Sequence, residues 1–140
     1  MKSHLAPILL ATFLSTAACT APSMHQHHTL DYLEFTVHDI EQAKRFYGQA
    51  FGWRFNDYGP DYAGIQRASG EGEIGGLRPG EVTPGGPLAI LYSSDLAASQ
   101  RSITEAGGRI TVPVFEFPGG RRFHFQDPSG NELAVWSDAP

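Results

Sequence analysis

Residues 39–52 read DIEQAKRFYGQAFG, and 56 positions later residues 95–108 read DLAASQRSITEAGG. Each copy opens on Asp followed by a branched aliphatic residue (Ile40, Leu96) and closes on glycine. In the first copy Ile40, Ala43, Phe46, Tyr47, Ala50 and Phe51 fall on one stripe of a helix. Asp39 stands at the N-cap, Gln42 completes a capping box, and Gly52 supplies the C-terminal stop. In the second copy Asp95 caps a helix containing Leu96, Ser99, Ile103 and Ala106, and Gly107-Gly108 ends it. Each helix follows a strand-like run, Leu33 to Val37 and Leu88 to Tyr92. A strand–helix unit repeated within 140 residues implies one domain of two similar halves, an arrangement that often builds a site between them.

The flanking residues extend both units in the same way. Leu33, Phe35 and Val37 alternate with Tyr32, Glu34 and Thr36, the period-two pattern of a strand with one core face. Trp53 to Tyr58, Tyr62 to Ala68 and Glu73 to Leu77 read as short strands between Gly/Pro turns. In the second half Arg109 to Phe117 is a strand bent, or made an edge, by Pro113. Arg121 to Gln126 and Glu132 to Trp136 follow, joined by a type I turn at Asp127-Pro128-Ser129-Gly130. The order is βαβββ twice, an α+β fold, with residues 79–87 as the link.

A net charge of −5 argues against nucleic acid or an anionic membrane surface as a partner. The single cysteine, Cys19, rules out an intrachain disulfide. Lys2 and His4 begin the chain, and the uncharged run Leu5 to Ala18 is too short to span a bilayer comfortably, which is a signal-peptide layout. Thr16-Ala17-Ala18-Cys19 resembles a bacterial lipobox, with Thr16 where Leu is usual. The expectation is a lipoprotein-type signal peptide over residues 1–18, lipid attachment at Cys19, a tether over 19–29, and a single domain over 30–137 made of modules 30–78 and 87–137. An ordinary secretory signal is the alternative. His25, His27 and His28 read as part of a solvated linker. The expected location is the bacterial cell envelope, lipid-anchored and facing the periplasm, or secreted. Membrane contact is expected only through the lipid.

Several short sequence words occur in a telling order. Val37-His38-Asp39-Ile40 leads to Phe46-Tyr47 and Phe51-Gly52-Trp53. Ala106-Gly107-Gly108 and Phe125-Gln126-Asp127-Pro128-Ser129-Gly130-Asn131 come later. Together they resemble the vicinal oxygen chelate (VOC) superfamily, which includes glyoxalase I, bleomycin-resistance proteins, fosfomycin-resistance proteins and extradiol dioxygenases. The resemblance implies two βαβββ modules forming a partly open β-barrel around a central cleft, which usually holds a divalent metal and a small substrate. Related proteins of this size often form homodimers. The family's metal enzymes place His or Glu at four cleft-facing points. On this chain those points are Tyr32, Leu88, Ala134, and Gly75 or Gly76. Leu, Ala and Gly offer no ligand and a phenol is an occasional one, so the usual metal site is expected to be lost and no cofactor is predicted.

Strand alternation nominates Tyr32, Glu34, Ile90, Tyr92, His124 and Trp136 as cleft residues. His124 and Glu34 are the candidate acid/base couple, because imidazole titrates near neutrality and a carboxylate orients it. The plainer reading makes His124 a half-buried sheet residue with one hydrogen bond. Arg121-Arg122 is expected to flank an exposed hairpin tip. The expected function is a glyoxalase/bleomycin-resistance-like protein that binds a small molecule without the usual metal. One alternative is a lyase, isomerase or dioxygenase with an atypical metal or metal-free acid/base site. Another is a structural envelope module with a vestigial cleft.

Overall fold

The computed structural model describes residues 32–138. The signal peptide, Cys19 and the tether therefore lie outside the described residues. The first module comprises β1 (Leu33–Val37), α1 (Ile40–Phe51), β2 (Phe55–Asp57), β3 (Ala63–Gln66) and β4 (Glu73–Pro79). The second comprises β5 (Ala89–Tyr92), α2 (Leu96–Glu105), β6 (Arg109–Phe117), β7 (Gly120–Gln126) and β8 (Glu132–Ser137). The two sheets have matching orders, β1-β4-β3-β2 and β5-β8-β7-β6. In each, the first strand runs parallel to the last and the remaining pairs are antiparallel. This is the expected α+β architecture, two four-stranded sheets that do not close into a barrel.

Both helices start where the repeat places them. The extended backbone of Asp39 and Asp95 lets each carboxylate accept the amide three residues on, Gln42 N at 2.7 Å and Ala98 N at 2.9 Å. Gly52 ends α1 at φ 70°, a conformation that glycine adopts at little cost. The apolar stripe of α1 buries Ile40, Ala43, Phe46 and Tyr47, while α2 buries Leu96 and Ile103. Gly108 lets the end of α2 approach α1, since a Cβ there would meet Ile103 and, at 2.9 Å, the ring of Phe46. Around these helices a shared core forms from Phe46, Tyr47, Phe123, Phe125, Leu133 and Val135, with Phe35, Phe51 and Trp53 packed against it. The Tyr47 and Trp53 rings stack at 4.7 Å with 8° between their planes.

The modules are also joined through a polar knot. Asp127, 5% exposed, begins the β7–β8 turn, which Gly130 N closes on Asp127 O at 3.0 Å. Its carboxylate accepts the amides of Ser129 and Asn131, the Asn131 side-chain amide, and the hydroxyl of Tyr47 at 2.9 Å. Asn131 Nδ2 also donates to Thr36 O at 2.8 Å, and His38 N donates to Ser129 Oγ at 3.0 Å. The second module's last turn thus grips the first module at the β1–α1 junction. A buried carboxylate is tolerable only when its acceptor sites are filled in this way.

Replacing Tyr47 with Phe removes one charge-assisted donor from Asp127. Urea denaturation should show a loss of about 1–3 kcal/mol. Burial, reinforced by the Asp127 charge, raises the Tyr47 phenol well above its ordinary value. The native state therefore keeps a proton that the unfolded chain releases. The resulting stability is complete below about pH 10 and is lost as pH rises through the higher native value. In Tyr47→Phe that alkaline decline should be shallower. Gly108→Ala should cost about 1–3 kcal/mol in the same assay, because the added methyl overpacks the contact between the helices.

Candidate functional site

Between the modules lies a cleft of about 610 Å³. Glu34 and Thr36 of β1 and Arg78 of β4 form one wall. His124 and Gln126 of β7, Glu132 of β8 and Asn131 of the turn form the other, and residues 81–88 of the link complete it. A smaller hollow of about 410 Å³ sits at the start of α2, where Asp95 already caps the helix.

His124 is the best-defined chemical group in the cleft. Its side chain is 15% exposed, and Nδ1 lies 3.2 Å from Glu132 Oε1. Nε2 is buried without a hydrogen-bond partner. An ionised carboxylate only accepts, so Nδ1 carries a proton, and in the neutral form of the ring the lone pair falls on Nε2. The carboxylate that orients His124 is thus Glu132, which corrects the expected couple with Glu34. The two groups stand on different sheets, and Glu34 is engaged on its own, pairing with Arg78 Nε at 2.9 Å and accepting from Tyr62 at 3.1 Å. The β7–β8 register explains the exchange. Gln126 faces Glu132 and His124 faces Ala134, which leaves Glu132 diagonal to the imidazole.

The other nominated residues divide between the two sheet faces. Ile90, Tyr92 and Trp136 share the face of His124 but lie beyond the cleft lining. Ile90 pairs with Ala134 and Tyr92 with Trp136. Their rings belong to an aromatic belt, with Tyr92 against Trp136 at 5.3 Å and Trp136 against Phe117 at 6.2 Å. Hydrogen bonding to Asp138 raises the Tyr92 phenol above its ordinary value. Arg122, expected beside an exposed tip, is partly buried, with its guanidinium over Phe115 at 5.0 Å and Phe117 at 5.6 Å. β7 continues through both arginines, so they stand on opposite faces of the sheet, Arg122 over Phe115 and Phe117 and Arg121 beside the start of α2. Tyr32 stands on the first sheet's face, bonded to the Tyr62 hydroxyl at 2.9 Å and to Glu73 at 3.4 Å.

The residues at the family's ligand points do not fit its metal. Tyr32 is raised above the usual phenol range, first by burial and then by its bond to Tyr62, which opposes the deprotonation that metal ligation requires. The space a side chain would need at Gly76 is filled by the hydroxyls of Tyr62 and Tyr32. Ala134 is fully buried and Leu88 is an exposed aliphatic residue. Among the described residues no group of three or more His, Cys, Asp and Glu is arranged to hold a metal ion.

Arg78, Gln126, Asn131 and the part played by the link were not nominated from the sequence, although Gln126 lies two residues beyond His124 on β7 and alternation puts it on the same face. Gln126 and Asn131 belong to the family-like word around the β7–β8 turn, which was a further signal. The link carries no periodic pattern.

Comparison with known proteins agrees with this architecture. Residues 29–135 match the model of the Glyoxalase/Bleomycin resistance protein/Dioxygenase superfamily. A Mycobacterium tuberculosis protein named "Putative glyoxylase CFP32" is 27% identical over 125 residues, 81% of this chain and 47% of that protein. The chain therefore spans about half the length of the curated relatives it matches. Among solved structures, a glyoxalase-related enzyme from Fulvimarina pelagi superposes with a TM-score of 0.67 at 21% identity, covering 79% of this chain and 88% of that one. A genomically encoded fosfomycin resistance protein from Listeria monocytogenes gives 0.67 at 12% identity, covering 82% and 93%. These structural likenesses concern the fold; the family assignment rests on the sequence match over residues 29–135, and by it the chain belongs to the Glyoxalase/Bleomycin resistance protein/Dioxygenase superfamily.

Proposed function

We propose that this protein binds a small organic molecule in the cleft between its modules, without the metal centre usual in its family. The observation that carries this reading is the His124 ring, oriented by Glu132 through Nδ1 and left with a buried, unpartnered Nε2 beside the cleft. A buried polar atom without a partner costs free energy that a donor on a ligand recovers. Facing it, Glu34 and Arg78 supply charged groups, and Gln126 and Asn131 supply amides. This is a small set of orienting polar groups in a cavity of ligand size. The ligand class that fits is a compact molecule with at least one hydroxyl or N–H to donate to Nε2. The same lone pair favours a second reading, metal-free general-base chemistry, in which His124 accepts a proton from the bound molecule.

We further propose an envelope location with lipid attachment at Cys19. The uncharged run Leu5 to Ala18 and the small residues before that cysteine support it.

A thermal-shift screen of hydroxylated and amide-bearing small molecules should yield stabilising ligands. Their affinity should fall at least about tenfold in His124→Ala, the scale of one lost hydrogen bond to a buried group. A ligand bound equally well by that variant would remove the cleft from the reading. Turnover of such a ligand that disappears in His124→Gln would select the general-base form. Mass spectrometry of protein recovered from bacterial membranes should find a diacylglyceryl-modified N-terminus at Cys19, and Cys19→Ala should release the protein from the membrane. An unmodified wild-type chain would sink the lipoprotein assignment.

A further inference from the structure

The face of the first sheet away from α1 holds a group that the cleft does not use. Simple alternation from the buried Leu77 would send Glu73 toward the core side of β4. A bulge prevents this. Gly75 pairs with Ile65, but the next pair is Glu73 with Gln66, so Ile74 is left over and Glu73 turns to the opposite face. Two glycines make room for it there. A Cβ at Gly64 would run into the Glu73 carboxylate, and one at Gly76 into the hydroxyls of Tyr62 and Tyr32.

Within this recess Glu73 accepts from Asn56 Nδ2 at 2.8 Å, Tyr58 OH at 2.8 Å and, more weakly, Tyr32 OH at 3.4 Å. These neutral donors, Asn56 foremost, hold its carboxyl below the usual range, so the charge persists at neutral pH. Among the described residues no Lys, Arg or His forms an ion pair with it. The neighbouring Glu34, by contrast, is neutralised by Arg78. Around Glu73 the rings of Tyr32 and Tyr58 are 37% and 62% exposed, and Tyr62 lies 6.3 Å from Tyr58. The result is an uncompensated carboxylate set among three phenol rings on a chain of net charge −5.

We propose that this end of the first sheet's open face, next to the cleft wall formed by Glu34 and Arg78, binds an organic ammonium ion, held by Glu73 and the rings of Tyr32, Tyr58 and Tyr62. The phenol hydroxyls are spent on Glu73, on Glu34 and on one another, which leaves the rings as the contact surface. A quaternary ammonium has no N–H to donate and a diffuse charge, and it is attracted both to the ring faces and to the carboxylate. A small metal ion would instead need the phenol oxygens, which are already committed to hydrogen bonds. None of Tyr32, Tyr58, Tyr62 and Glu73 lines the cleft between the modules.

The test is proton NMR titration of the full chain with tetramethylammonium chloride, with sodium chloride as the ionic-strength control. Ring currents should shift the methyl resonance upfield, saturably, with a dissociation constant in about the millimolar range expected for an exposed cation–π site. Glu73→Gln and Tyr58→Leu should each weaken binding by about tenfold, while His124→Ala should leave it unchanged. Tyr58→Phe, which keeps the ring, should retain most of the affinity. Absence of saturation overturns the proposal, as does undiminished binding in both Glu73→Gln and Tyr58→Leu. Loss of binding in His124→Ala would instead place the cation against His124 and equally overturn the assignment to Glu73. Displacement by an equal concentration of sodium chloride would reduce the effect to charge screening and do the same.

Discussion

The buried carboxylate of Asp127 is the constraint from which much of the rest follows. It sits in the second module but is satisfied partly from the first, through the hydroxyl of Tyr47. Four donors converge on its two oxygens, and a buried charge needs about that number to be tolerable. Tyr47 in turn is fixed by stacking on Trp53 and by packing against Phe46, so the polar knot and the aromatic core hold one residue from two sides. The relative placement of the two sheets therefore rests on directional bonds as well as on non-directional burial. Hydrophobic contact alone would tolerate sliding; hydrogen bonds of 2.8–3.0 Å across the module boundary do not.

The two modules share a topology but differ in the chemistry of their open faces, and the cause is local. In β3 and β4 the pairing of Gly64 with Gly76 removes two side chains from the middle of the first sheet, and the bulge at Ile74 turns a carboxylate into the vacated space. In the second sheet the equivalent region keeps its side chains. His124, Arg122, Trp136 and Tyr92 form a continuous aromatic and cationic surface there. One half of the fold thus presents a carboxylate among phenol rings and the other presents rings and a guanidinium. A duplicated backbone carries two different surfaces because a few glycines and one bulge intervene.

Much of this was legible in the sequence, for identifiable reasons. Helix caps and apolar stripes are local signals, so Asp39, Gly52, Asp95 and the two helices lie where the repeat put them. Alternation set Glu34 apart from Leu33 and Phe35, and His124 apart from Phe123 and Phe125; Glu34 and His124 are among the residues lining the cleft, as are Leu33 and Phe35. Partnerships were harder to read. Whether His124 meets Glu34 or Glu132 depends on how two sheets are set against each other, which no single strand encodes. The position of Glu73 was hidden for a different reason, because a bulge reverses parity within one strand and period two then points to the wrong face. Arg121 and Arg122 do flank the exposed tip of the β6–β7 hairpin, but only the β6 register shows Phe115 opposite Arg122, whose guanidinium lies over Phe115 and Phe117.

Asn131 performs two tasks at once. Its side chain bonds both Asp127 and the backbone of Thr36, and the same residue lines the cleft. The width of the cleft at that end is consequently set by the lengths of the bonds that hold the halves together. Under the proposed binding function, prying it open for a larger guest would break the clasp between the modules, so the gauge of that end would limit the girth of a bound molecule.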